Sequence, residues 1–277
     1  MIYVTCTADE SYLKYLKVLL QSFSEHCPEV NFFCRLVNVP AEKIEMVYSW
    51  NPRVELLTEN VTLNSRPDRL KEDNSWAYAG LSNIRKCSFL VSDLACYCNN
   101  KRFDNINILL SRQNVSHVVN MDVDCIAVNK FNVENLLSNH DIAIFNENAP
   151  LVSETGICEA LNQKMWYPGK WKDDKFVTQY PFNDESFIGI KNNQSTRLFF
   201  SRASADMCTD MMNWDADYQI LNKLYHEFKS DIMFKDLPVE YIDRWFFSPS
   251  SYIWNGAAEG KFLNKNFIDK FNHYSAS

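Results

Sequence analysis

Val118-Val119-Asn120-Met121-Asp122-Val123-Asp124-Cys125-Ile126 is the stretch on which the reading of this chain turns. An apolar run of strand type, from Val115 to Met121, delivers two carboxylates at positions i and i+2. In extended backbone successive side chains alternate, so both carboxylates point one way and Val123 points back. Carboxylates held this close repel, and a divalent cation with hard oxygen ligands is the usual remedy. Such a cation holds a diphosphate and takes up charge as that group departs. The plainer reading is a solvated turn after a strand, and the triplet alone does not decide between them.

Upstream of the triplet, strand and helix patterns alternate. Residues 2–6 read as a buried strand, and Tyr12, Leu13, Leu16, Leu20 and Phe23 recur at helical spacing before Pro28. Asn31 to Val39 reads as a strand, Ala41 to Trp50 as a helix, Val54 to Leu57 as a third strand, and Trp76 to Cys98 as one long helix. This alternation predicts an α/β fold with a mostly parallel sheet flanked by helices. Ligands of such sheets collect at the carboxyl ends of strands, where Thr7 to Tyr12 and the triplet fall. Downstream, Asp141 to Asn146 and Ser186 to Lys191 read as strands, Trp166 to Pro181 as a long exposed loop, and Arg197 to Met212 and Asp215 to Phe228 as helices. A polar helix closes the tail after Tyr252. No linker, repeat or low-complexity tract divides the 277 residues. One domain is expected, with a first lobe over 1–130 and a less regular acceptor-side lobe over 131–277.

Composition narrows the function. Hydrophobic residues make up 46% and charged residues 23%, the balance of a globular chain, and aromatic residues at 14% suit a core or cleft rich in rings. A net charge of -7 argues against a nucleic-acid partner. No apolar run is long enough for a transmembrane segment. The nine cysteines are an odd number lying mostly in apolar segments, so reduced thiols of a cytoplasmic protein are expected. Met1 to Cys6 carries no basic leader and enters a strand pattern at once. With six glycines there is no Gly-rich phosphate loop and no dinucleotide fingerprint.

The order of motifs resembles glycosyltransferase family 8 and its GT-A relatives, from about residue 2 to 262. The triplet matches that family's Asp-x-Asp, and Thr7-Ala8-Asp9-Glu10-Ser11-Tyr12 is similar to its N-terminal segment beneath the nucleotide. The resemblance implies a GT-A, Rossmann-like fold and a UDP-sugar donor. Asp9 would accept from the uracil imide, Tyr12 would stack on the base, and Ser11 would lie near the ribose or phosphates. The same segment also reads as a polar helix cap with Tyr12 packed in the core. Arg85, in Ser82-Asn83-Ile84-Arg85-Lys86, is the best match for a basic donor ligand, although helical Arg and Lys are commonly solvated. Asn183-Asp184-Glu185-Ser186 is similar to the segment facing the donor sugar, and Asp217, at the start of Asp217-Tyr218-Gln219-Ile220-Leu221-Asn222, matches a sugar-hydroxyl ligand. Asp122 and Asp124 would bind Mn²⁺ or Mg²⁺, with Asp122 also able to contact the ribose, and Val123 would lie along the donor.

At the C-terminal motif the chain departs from the family. Where relatives place His-x-x-Gly-x-x-Lys, it has Asn255-Gly256-Ala257-Ala258-Glu259-Gly260-Lys261. Lys261 fits as a diphosphate contact, whereas Asn255 stands at the metal-ligand His. Asn255 is therefore the expected third ligand, with His273 as a rival. A retaining transfer is favoured by the likeness; an inverting one would need a base from Asp184, Glu185, Asp215 or Asp217. The acceptor is a carbohydrate or other hydroxyl compound, for which Trp166, Tyr167 and Trp171 offer apolar faces. Two alternatives stand beside this reading. One is a haloacid dehalogenase-type phosphatase, which usually carries its Asp-x-Asp on the first strand. The other is a non-catalytic nucleotide-sugar-binding module.

Overall fold

A computed structural model describes residues 1–63, 69–70, 90–146, 157–158, 163–164, 170–172, 175–177, 183–209, 211–212, 216–243, 246–256 and 264–276. The chain opens with β1 (Ile2–Asp9), a single 3₁₀ turn over Glu10–Tyr12, α1 (Leu13–His26), β2 (Asn31–Val37), α2 (Ala41–Trp50) and β3 (Val54–Glu59). The short strands β4 (Arg69–Leu70) and β5 (Leu90–Val91) pair with each other and lead to α3 (Asp93–Asn100) and α4 (Arg102–Leu110). Then come β6 (His117–Met121), β7 (Cys125–Ala127), α5 (Val133–Leu136) and β8 (Ile142–Asn146). Two small antiparallel pairs follow, β9 (Ile157–Cys158) with β10 (Gln163–Lys164) and β11 (Lys170–Lys172) with β12 (Lys175–Val177). The rest comprises β13 (Asn183–Lys191), α6 (Gln194–Met207), α7 (Ala216–Phe228), β14 (Phe234–Asp236), β15 (Ile253–Asn255) and α8 (Lys265–Ala276).

Seven strands form the central sheet in the order β14-β8-β13-β6-β1-β2-β3. All run in one direction except β13, which is antiparallel to both of its neighbours. The chain steps outward from β1 to β2 and β3, then returns to lay β6 on the other side of β1. That reversal makes the crevice between the carboxyl ends of β1 and β6 the place where open α/β sheets bind ligands. Both expected lobes contribute to this sheet, because β6 pairs with β13 from Phe187↔Met121 to Lys191↔His117.

The alternation along β1 sorts the two faces. Val4, Cys6 and Ala8 join the core under α1, whose Leu13, Leu16, Leu19, Leu20 and Phe23 recur at helical spacing. Tyr3 faces the other core, where Phe103, Ile106 and Leu109 of α4 meet Phe199 and Phe200 of α6. Helix α1 stops where Cys27 N–H bonds the Phe23 carbonyl at 2.7 Å and Pro28 offers no donor to continue it. Asn193 caps α6 through a reciprocal capping box with Thr196, so that helix starts earlier than the sequence suggested and ends at Met207.

Other expectations are corrected. The long helix expected over Trp76 to Cys98 does not hold at its described end: Leu90–Val91 is a strand, and Ser92 Oγ accepts from Ala95 N–H at 3.0 Å, starting a separate helix. Helix α4 was not anticipated at all. The loop expected over Trp166 to Pro181 contains the β11–β12 pair; its other residues lie outside the described ones. Seven described cysteines are free thiols, as expected.

Candidate active site

The triplet closes β6. Asp122 N–H bonds the Ser186 carbonyl at 3.1 Å, the last link of the β6–β13 ladder. Its own carbonyl accepts from Cys125 N–H at 3.3 Å, so the chain turns here instead of continuing extended. The i, i+2 alternation expected for the two carboxylates therefore does not apply. Val123 is buried in the core under α1, while Asp122 and Asp124 stay partly exposed. A tight turn achieves what alternation was expected to achieve, with the apolar residue in and the acids out.

Across the crevice, Asp9 ends β1 and caps the 3₁₀ turn. Its Oδ1 accepts from Ser11 N–H at 2.8 Å, Ser11 Oγ–H at 2.6 Å and Tyr12 N–H at 3.2 Å. The cap reading of this segment is thus correct for Asp9, but its companion, a core-packed Tyr12, is not. Tyr12 is 42% exposed, and its ring meets Tyr15 at 5.5 Å between centroids. Partial burial raises the phenol above its ordinary range, and the negative fields of Asp124, Asp9 and Asp122 add to the rise. The charges of both acids of the triplet thus reach the Tyr12 phenol. Ala8 is buried, leaving only its backbone to meet a ligand. Thr7 Oγ1 accepts from Asn105 at 3.0 Å, and Asn105 in turn accepts from the buried Arg35 at 2.6 Å. Cys98 lies nearby; burial pushes its thiol up to about 12, aided by the charges of Asp9 and Glu59, which makes it an inert thiol.

Beneath the triplet lies a charge cluster that the sequence reading missed. Arg102, on the first turn of α4, is buried. Its Nε is 2.8 Å from Asp217 Oδ2 and its Nη1 is 3.4 Å from Asp122 Oδ1. Asn99 completes the arrangement, donating from Nδ2 to Asp217 Oδ2 at 2.8 Å and receiving Arg102 at its own carbonyl at 3.1 Å. Asp217 is only 1% exposed, so its carboxylate serves first to hold Arg102. The signal for Arg102 was present in Phe103, Ile106, Leu109 and Leu110, which repeat at helical spacing directly behind it.

Asn255 ends a strand that pairs beside the triplet. Strand β15 pairs antiparallel with β7, Asn255 opposite Cys125, and Gly256 N–H bonds the Asp124 carbonyl at 3.1 Å. The pleat sends Asn255 with Cys125 to the buried side, while residue 256 shares a side with Asp124. A Cβ on Gly256 would lie 3.0 Å from both Cγ and Oδ2 of Asp124, which confirms that sharing. Asn255 is fully buried. Asp243 fixes β15 in place: its carbonyl accepts from Asn255 N–H at 2.9 Å, and its carboxylate accepts from Phe246 N–H and Ser248 N–H, each at 2.8 Å. His273, the rival, is exposed on the last turn of α8 beside Tyr274. Among the described residues, no three His, Cys, Asp or Glu side chains converge on a metal position.

Asp184 and Glu185 lie on β13 at the sheet edge that bears the triplet, where pairing with β8 shifts between Asp184 and Ile188. Such a shift bends a strand next to a site. Arg85, Asp215 and Lys261 lie outside the described residues.

No family model and no curated protein matches the sequence. Solved structures do match. The glycosyltransferase GlyE of Streptococcus pneumoniae TIGR4 superposes with a TM-score of 0.55 at 12% identity, over 99% of this chain and 60% of that one. The galactosyltransferase LgtC, crystallised with donor and acceptor sugar analogs, gives 0.53 at 14% over 100% and 95%. The bifunctional glycosyltransferase WbbM gives 0.57 at 14% over 100% and 50%. The fold is that of the GT-A glycosyltransferases. At this identity the likeness establishes the fold alone, and the chain spans only about 60% of GlyE. Within the GT-A fold of this chain, the triplet, Asp9 and Tyr12 sit at the sheet's switch point, and no described helix is long and apolar enough to cross a membrane.

Proposed function

We propose that this chain is a metal-dependent glycosyltransferase that moves a hexose from a UDP-sugar to a hydroxyl acceptor, with retention at the anomeric carbon. The observation that carries the reading is the exposed side chain of Tyr12 after β1 with the two acids of the triplet after the neighbouring β6, close enough for their charges to act on its phenol. A flat aromatic face at one end of the crevice and paired carboxylates at the other suit a base at one end and a diphosphate at the other. Asp9 keeps Oδ2 for the base, because its turn contacts all fall on Oδ1.

Asp122 and Asp124 supply the hard anionic oxygens that Mg²⁺ or Mn²⁺ prefers, and the bare backbone of Gly256 seats Asp124. Bound there, the cation would neutralise the departing diphosphate. In this reading Asn255, paired opposite the buried Cys125, is not assigned to the ligand set, and the remaining positions are assigned to water, the diphosphate or residues outside the described ones. Lys261 is assigned to the diphosphate and Arg85 to the donor on the family likeness. Asp217 and the Asp184–Glu185 segment frame the donor-sugar end, on α7 and β13. Ser11 stands beside Asp9 toward the ribose, and the backbones of Ala8 and Val123 line the donor. The phosphatase alternative expects its motif on the first strand, whereas this triplet follows β6.

Tyr12 provides a direct test. A base–aromatic stack contributes roughly 1–3 kcal/mol, and it needs the ring and not the hydroxyl. In calorimetric titrations with UDP and Mn²⁺, Tyr12→Ala is expected to weaken binding by about tenfold or more, and Tyr12→Phe to stay near wild type. Equal losses in the two variants would assign Tyr12 to packing against Tyr15.

A further inference from the structure

Arg102 touches two carboxylates that come from different parts of the chain. Asp217 opens α7 at the sugar end of the proposed site, and Asp122 ends β6 at its diphosphate end. The guanidinium reaches both, through Nε at 2.8 Å and Nη1 at 3.4 Å. It cannot drift, because Asn99 accepts from it with both its backbone carbonyl and its side-chain oxygen, and the residue is buried. The same corner of α3 and α4 also grips the segment before α7, where Asn100 Nδ2 donates to the Met211 carbonyl at 2.9 Å.

We infer that Arg102 is a positioning residue, resting on the glycosyltransferase reading: it sets the Asp122 carboxylate and ties α7 to the triplet, so that the two ends of the donor site keep one relative placement. A planar fork is needed for this. A lysine ammonium is a compact charge on a flexible stem; even where its three donors reach both acids, it does not fix their relative directions as a rigid planar fork does. The link is also electrostatic. Asp122 and Asp217 share one guanidinium, which offsets the repulsion between an acid of the proposed cation-binding pair and a buried third acid.

The test uses the intact chain with UDP, Mn²⁺ and a responsive UDP-hexose, and reads kcat, KM and thermal unfolding together. Arg102→Lys keeps the charge beside Asp217 and is expected to fold. Its kcat should fall by at least about tenfold, the scale of one charge-assisted hydrogen bond, and by more than KM rises. Arg102→Met alone would leave Asp217 buried without its cation and is expected to be strongly destabilised, so the Arg102→Met/Asp217→Asn double variant is made alongside it. That pair should fold and show the same kcat deficit. Folded variants with wild-type kcat, even with a lowered unfolding temperature, would reduce Arg102 to a structural ion pair and overturn the inference while leaving the transferase reading intact. A wild-type chain that neither binds UDP with Mn²⁺ nor turns over any UDP-hexose would overturn both.

Discussion

Asp124→Asn is expected to lower turnover by about 10²-fold or more while the protein stays folded, because it removes one of two anionic ligands that hold the cation against the diphosphate. The substitution is nearly isosteric. Asp124 is partly exposed, and its backbone contact with Gly256 N–H does not involve the side chain, so the turn should survive. Excess Mn²⁺ should restore part of the activity, since a weaker site is filled by mass action. Steady-state rates over a range of Mn²⁺, together with circular dichroism of the variant, check this. Unchanged turnover, or full turnover of the wild type in EDTA, would contradict a cation at the triplet.

Gly256→Ala is expected to be nearly as damaging, for a steric reason. The added Cβ would stand 2.5 Å from the Asp124 carbonyl oxygen and 3.0 Å from its carboxylate. A backbone oxygen engaged with Gly256 N–H cannot swing aside, so the turn or β15 must move. Displacement of a reacting group by about 1 Å can cost ~10²-fold in rate, and overpacking of this kind costs about 1–3 kcal/mol in stability. The neighbouring Asn255→His is the control. Its side chain faces the buried side with Cys125, so an imidazole there should lower the unfolding temperature and leave Mn²⁺ affinity unchanged. A gain in Mn²⁺ affinity in Asn255→His would show that the register argument is wrong. A Gly256→Ala variant with wild-type kcat would show that Asp124 tolerates the crowding.

Much of the sheet was legible because its strands obey simple rules. β1, β2, β3 and β6 are apolar, short and bounded by polar residues, and the triplet marks where β6 ends. The first segment was half legible: Asp9 as a cap follows from residue type, whereas the exposure of Tyr12 depends on what the rest of the fold leaves uncovered. Helix α4 was hidden by its Asn and Asp residues, which lower helix propensity, and with it Arg102 went unseen. The fate of Asn255 was not legible either. A one-residue difference in register moves a side chain to the opposite face, and motif spacing carries no register. Asp217 was picked out by likeness, yet its buried pairing with Arg102 arises only when α4 and α7 pack together.

The most direct measurement of the central claim is UDP release from a panel of UDP-hexoses, with Mn²⁺ and with EDTA, assayed alongside phosphate release from simple phosphate esters. The account predicts slow, Mn²⁺-dependent UDP release from at least one UDP-hexose, stimulated by a hydroxyl acceptor, and no phosphate from the esters. Phosphate release from the esters, with every UDP-sugar left intact, would contradict it.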